Sequence, residues 1–399
     1  MRRGTILIAA LMIAASFTAV SQGQSRFSPS DSNMAPSDFK HLLTRANSGS
    51  TDAQFQLGLA YQYGRGIEQS AYEAQRWYRM AANSGDPAAQ NNLGFLYETG
   101  PDGVRDLPEA AKWYLRAAVE GSPLAQFNLG HLYLYTASMK KTPEEGLYWV
   151  RKAASAGYLP AYTFLGSLYA QGQFLPHDPS QAFKMTRIAA KKHEPGAETN
   201  LGVFYAKGFG VRADLNEAVK WFRKSADAGD PDGQFKLGVM CENGEGVPKD
   251  IDEAVRLYRL AAEKGSGAAQ ESLGELYEFG KAVQTDYQEA ARWYRKAIEG
   301  GDVLSASQLA TMLFQGKGGA RDLQEAIRLW SWAAQQGEPR AQFNLAEMYM
   351  KGVGVSKDLR KSLALFTQAA KTFDVNKQLK EVSSQMEQEE TAELHRKVF

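Results

Sequence analysis

Leucine recurs at an unbroken interval of 36 residues, at Leu57, Leu93, Leu129, Leu165, Leu201, Leu237, Leu273, Leu309 and Leu345. A small residue follows each one, Gly58 through Gly274 and then Ala310 and Ala346. A fixed period of this length constrains the fold strongly, because each unit is too small to bury its own apolar face and must stack on its neighbours. The chain is therefore expected to form an extended array rather than separate globular domains. Other columns keep the same register. An aromatic residue stands one helical turn after the leucine at Tyr61, Tyr97, Tyr133, Tyr169, Tyr205, Tyr277 and Tyr349, on the same helix face. Trp77, Trp113, Trp149, Trp221 and Trp293 form a later column, predicted to be core.

The local signals predict two antiparallel helices per unit. The first helix opens at a capping residue, often with proline behind it, as in Asp86-Pro87, Ser122-Pro123 and Asp230-Pro231. It closes at a glycine that can turn left-handed, at Gly64, Gly172, Gly208, Gly244, Gly316 and Gly352. The second helix opens at Ser70, Asp106, Thr142, Asp178, Asp214, Asp250, Asp286, Asp322 and Asp358. Glutamate or glutamine follows three residues later in every unit but the last, the pattern of a reciprocal capping box. These acids are accordingly assigned to helix caps. The predicted fold is all-α: an α/α superhelical solenoid of nine 36-residue helix-turn-helix repeats over 49–372, with capping helices at both ends.

The ends depart from the period. Residues 1–21 carry Arg2 and Arg3, then an apolar run, then Ala19-Val20-Ser21, which is the order of a cleavable secretory signal. The expected address is the periplasm or the extracellular space, with cleavage near Ser21 and no stable membrane insertion afterwards. Residues 22–36 are polar and predicted to be a disordered linker. Residues 37–48 are expected to be an N-terminal capping helix. Residues 373–399 are expected to be a C-terminal capping helix and extension, with Leu379, Val382, Met386 and Leu394 on one face.

Forty-six basic residues oppose 45 acidic ones, so bulk charge offers no case for nucleic-acid binding. Cys241 is the only cysteine; it falls in the tyrosine column and is predicted to be a buried thiol. The five histidines show no metal-ligand spacing, and no metal or cofactor is expected. His193 stands where other units have glycine between repeats and is predicted to be a loop residue.

The unit Ala125-Gln126-Phe127-Asn128-Leu129-Gly130-His131-Leu132-Tyr133 and the run Asn216-Glu217-Ala218-Val219-Lys220-Trp221-Phe222-Arg223-Lys224-Ser225-Ala226 resemble the Sel-1-like repeat family, over about residues 37–372. The resemblance implies a tetratricopeptide-like solenoid acting as an adaptor for protein complexes. Exported bacterial members of that family take part in signalling, envelope assembly, secretion or host contact.

If tetratricopeptide geometry carries over, the groove is lined by first-helix positions two, five and six after the leucine, which vary from unit to unit. The candidate partner-binding residues are Tyr63, Phe95, Glu98, His131, Tyr135, Glu275, Phe279 and Phe314. Aromatic anchors beside polar groups suit a protein or peptide segment. The predicted function is therefore an exported, non-enzymatic scaffold that holds a protein or peptide partner in its groove. One alternative is β-lactam binding or hydrolysis, known for a cysteine-rich exported subgroup. The paired cysteines of that subgroup are absent here, and Ser138-Met139-Lys140-Lys141 matches only the serine-lysine element of penicillin-recognising enzymes. A second alternative is a secretory-pathway quality-control adaptor, against which stand the C-terminal His395-Arg396-Lys397-Val398-Phe399 and the lack of an Asn-x-Ser/Thr sequon.

Overall fold

The computed structural model describes residues 35–139, 141–280 and 283–398. The expected signal segment 1–21 and residues 22–34 of the expected linker lie outside the described residues. The helices fall into two compact units, one ending at Trp221 and the other running from Phe222.

In the first unit, α1 (Pro36–Asn47) precedes the hairpins α2 (Thr51–Tyr63) with α3 (Ala71–Asn83) and α4 (Pro87–Thr99) with α5 (Leu107–Val119). Next come α6 (Pro123–Tyr135) with α7 (Pro143–Ser155), then α8 (Leu159–Gln171) with α9 (Pro179–Ala190) and α10 (Pro195–Lys207). Helix α11 (Leu215–Asp227) spans the boundary. The second unit continues with α12 (Pro231–Asn243) and α13 (Ile251–Glu263), then α14 (Gly267–Phe279) and α15 (Tyr287–Glu299). It ends with α16 (Val303–Gln315) and α17 (Leu323–Gln335), α18 (Pro339–Lys351) and α19 (Leu359–Ala369), and α20 (Asn376–Val398). No strand occurs among the described residues.

The glycine behind each leucine sets how closely the two helices of a hairpin approach. A Cβ built on Gly58 would lie 2.3 Å from the ring of Tyr78, and one on Gly274 would lie 2.4 Å from Tyr294. The ring therefore rests directly on the backbone of the first helix. The buried column is Tyr78, Tyr114, Val150, Thr186, Phe222, Tyr258, Tyr294, Trp330 and Phe366, each essentially sealed from solvent. It lies one residue beyond the tryptophan column, in which Trp77 and Trp293 are buried but Trp113 and Trp149 are only half-buried.

Caps and turns follow the sequence pattern, with one difference. Gly64 closes α2 at φ 67°, and the other five predicted glycines close their first helices in the same left-handed conformation. His193 adopts φ 63° in the loop position that glycine fills elsewhere. The second-helix caps accept from the third backbone N–H of their helices, as Asp106 does from Glu109. The reciprocal half of the box, however, is present at Thr142 and Glu145, while Glu73, Glu109, Glu217, Glu253, Glu289 and Glu325 pair instead with a cation one turn along. Those cations are well exposed, and such pairs contribute only a few tenths of a kcal/mol each, about as much as the second half of a capping box would.

Adjacent repeats are joined by a glutamine staple. The side chain of Gln90 donates to the carbonyl of Ala82, and Gln54, Gln126, Gln234, Gln270 and Gln342 repeat the bond to Ala46, Ala118, Ala226, Ala262 and Ala334. Each adds a second bond to a last-turn carbonyl that already accepts from the N–H of the following glycine. The Asn128 amide also donates to Asn91 at 2.9 Å, a second bond between repeats. At the C-terminal end, Leu379, Val382 and Met386 of α20 pack on Phe343, Leu363 and Phe366.

Candidate functional site

The buried tyrosines bond back to the first helix of their own hairpin. Tyr78 donates to Gln62 at 2.6 Å, Tyr114 to Glu98 at 2.8 Å, Tyr258 to Glu242 at 2.7 Å and Tyr294 to Glu278 at 3.1 Å. Burial raises the pKa of all four hydroxyls, so they act as donors. Burial also pushes Glu98 up from the usual carboxylate range. The position five residues after the leucine is thus engaged inside the hairpin. Phe314, at that position in the eighth repeat, stacks on Trp330 with ring centroids 5.4 Å apart, and Arg321 lies 4.2 Å from its centroid.

The remaining candidates separate into three environments. Tyr63 and Phe279 are about half exposed at the ends of α2 and α14, each beside a cation, Arg65 and Lys317 respectively. Phe95 is half-buried against the core of the second and third repeats. His131 and Tyr135 belong to one aromatic cluster of the first unit. Their rings are 4.9 Å apart, His131 lies 5.7 Å from Phe164 and 6.3 Å from Phe127, and Tyr135 meets Phe174 at 5.4 Å. Phe127 and Phe164 are fully buried while Tyr135 is exposed, so the cluster has a dry base and an open rim. Burial lowers the His131 pKa to about 4, which leaves the imidazole neutral above that pH.

Glu275 enters a cleft of about 850 Å³ in the second unit. Its walls come from α14, α16 and α18, and its end from the segment between α19 and α20. The lining includes Glu271, Glu275, Ser307, Gln308, Phe343 and Phe373. Glu275 and Thr311 stand two residues after their leucines. Glu271, Ser307 and Phe343 stand two before, a register the sequence reasoning did not select. The signal was present, since that column reads Phe55, Asn91, Phe127, Thr163, Thr199, Phe235, Glu271, Ser307 and Phe343 and varies as widely as the columns that were chosen.

Burial, then Asp302, then Glu275 raise the pKa of Glu271 to about 7. Glu275 accepts from the Gln308 amide at 3.1 Å, and Glu338 caps α18. Ser307 is 5% exposed and lines the cleft, and the hydroxyl of the neighbouring buried Ser305 has no hydrogen-bond partner among the described residues.

Ser138 sits in a 3-10 turn, Ala137–Met139, while Lys141 donates to Glu145 at 2.8 Å on the following helix. Cys241 is buried, and burial raises its thiol pKa, the opposite of nucleophile activation. Among the described residues no group of three or more His, Cys, Asp or Glu side chains could hold a metal ion. No helix among them is long and apolar enough to cross a membrane.

Fold and surfaces together define an all-α solenoid of helical hairpins, a class that presents variable side chains on a repeated frame. The Sel1 repeat matches at residues 51–86, 87–122, 123–158, 159–193, 195–230, 231–266, 267–302, 303–338 and 339–371, and the chain belongs to that family. Among solved structures it is similar to a protective antigen of uropathogenic Escherichia coli strains with an SLR fold, at 30% identity and TM-score 0.54, covering 83% of this chain and 79% of the antigen. It is also similar to a Sel1 repeat protein of Oxalobacter formigenes, at 33% identity and TM-score 0.57, covering 62% of this chain and all of that one. No curated protein sequence matches it.

Proposed function

We propose that the protein is an exported, non-enzymatic scaffold that holds a segment of a protein partner against its first helices. The observation that carries this reading is the cleft of the second unit, where first-helix side chains that do not repeat between units converge on a ligand-sized space. The frame around it is constant, so variation there is free to encode recognition. The order of charged, apolar and small residues in 1–21 supports export to the periplasm or beyond.

The test is affinity capture from envelope extracts with the chain lacking residues 1–21. Variants are Glu275→Lys in the second unit and Tyr135→Ala in the first. The expected result is a discrete protein captured by the unaltered chain and lost with at least one variant. Capture insensitive to both, with helicity intact, would count against recognition by the first helices. Cell fractionation of the full chain and of the chain lacking residues 1–21 tests the address; equal distribution of the two would refute export.

A further inference from the structure

The cleft of the second unit combines acidic groups with exposed apolar area. Glu271 and Glu275 project from α14, Asp374 from the α19–α20 segment, and Asp302 acts on Glu271 from the start of α16. Arg340 is the one cationic residue among the lining groups, and it makes no ion pair with them. Among the described residues no ion pair or hydrogen bond is made by the Glu271 carboxyl, whose pKa is raised to about 7 by burial and by two neighbouring acids. A cation arriving in the cleft would relieve that repulsion.

Beside the acids lies an apolar surface without a covering element. Leu304 is 50% exposed, Phe373 is 36% exposed, and Phe343 is half-buried between Phe373 and Phe366. Ser307, buried, lines the same space, as do the amides of Asn344 and Gln378. Cation-binding carboxyls, apolar contacts and main-chain partners within one concavity fit a peptide better than a free polyamine, which would leave the phenylalanines and the serine unused.

We infer that this cleft binds a peptide segment carrying lysine or arginine next to an aromatic or branched aliphatic residue. The cation sits between Glu271 and Glu275, the apolar side chain lies on Phe343 and Phe373, and Ser307 and the amides meet the main chain. The inference rests on the scaffold reading and specifies its ligand.

The experiment titrates the chain lacking residues 1–21 into the fluorescein-labelled peptide Gly-Phe-Lys-Leu-Arg-Gly and its counterpart with glutamate at both cationic positions, read by fluorescence anisotropy. The basic peptide should bind at least about tenfold more tightly, the size of effect that one like-charge juxtaposition in a cleft produces. Glu275→Lys should weaken it by about tenfold or more. The near-isosteric Glu271→Gln and Ser307→Ala should each weaken it several-fold, and Lys112→Ala, on an exposed second-helix face outside every candidate surface, should leave it unchanged. Circular dichroism verifies that each variant keeps its helices. Equal binding of the two peptides, affinity unaltered in both Glu275→Lys and Glu271→Gln, or displacement by spermidine at concentrations comparable to the peptide would overturn the inference. If Glu275→Lys abolishes capture of the native partner while the basic peptide shows no preference, the ligand class is wrong and the scaffold reading stands. Capture that ignores every first-helix variant sinks the scaffold reading itself.

Discussion

The first-helix surface of the third and fourth repeats and the cleft of the seventh to ninth are built from the same columns and differ in nearly every property. In the first region the position two before the leucine holds Phe127 and the position two after it holds His131; these close on Phe164 and form a dry cluster with an open rim. In the second region those columns hold Glu271, Ser307, Glu275 and Thr311, and the space between them stays open. The frame under both is alike. Gly130 rests on Val150 and Gly274 on Tyr294 at similar close range. One frame can therefore be filled with side chains in one place and left for a ligand in another, and column composition decides which.

The largest test of this contrast is Phe127→Ala, which empties a fully buried ring site and should cost about 3–5 kcal/mol in urea unfolding. Substitution of Glu275 by Ala should leave stability within about 0.5 kcal/mol. Comparable losses at the two sites would erase the distinction between packed and open regions. Next is Gly58→Val, where the branched side chain would meet Tyr78 in a space already filled; the expected loss is about 1–3 kcal/mol. A melting temperature equal to that of the unaltered chain would mean that the glycine column does not set helix spacing.

Smaller effects sharpen the picture. Tyr114→Phe strands the half-buried Glu98 without its donor and should cost about 1–2 kcal/mol. Glu271→Gln should act with the opposite sign. Its folded pKa of about 7 lies above the ordinary value of 4.5, so ionisation is unfavourable in the folded state. The unaltered chain should then lose stability as pH rises from 4.5 to about 7 and keep that deficit above 7. The variant should be more stable at pH 8 by about 1 kcal/mol after solvent screening, and equal at pH 4. A gain that is the same at both pH values would assign the effect to something other than the carboxyl.

Much of this architecture was legible in the sequence because a period identifies equivalent residues. The hairpins, the glycine turns and the first half of each capping box follow from residue types at fixed spacing. A period does not say which way a helix is rotated about its axis, and the errors of register lie there. The most buried column reads Tyr, Val, Thr, Phe and Trp across the repeats and was hidden beside the more uniform tryptophans. Glu98 and Phe314 looked like groove residues because their column varies, whereas both meet partners in the second helix of their own hairpin. Glu275 and His131 share a column that faces open space in one unit and an aromatic cluster in the other. The closure of the cleft by Phe373 and Asp374 depends on where the terminal helix docks, which lies beyond any repeat pattern.

The glutamine staple gives the solenoid a mechanical profile. In the second unit Gln234, Gln270 and Gln342 tie their repeats to the helices before them, but the equivalent residue of α16 is Ala306, which has no group to make the bond. That junction joins the seventh and eighth repeats, whose first helices carry the cleft residues Glu271, Glu275 and Ser307. The second unit should therefore be most compliant at this joint, bending there before it bends elsewhere, and amide exchange should be fastest at the end of α15 and the start of α16. Replacing Ala306 with glutamine should stiffen the joint and slow that exchange, turning a cleft that can widen around its occupant into one of fixed gape.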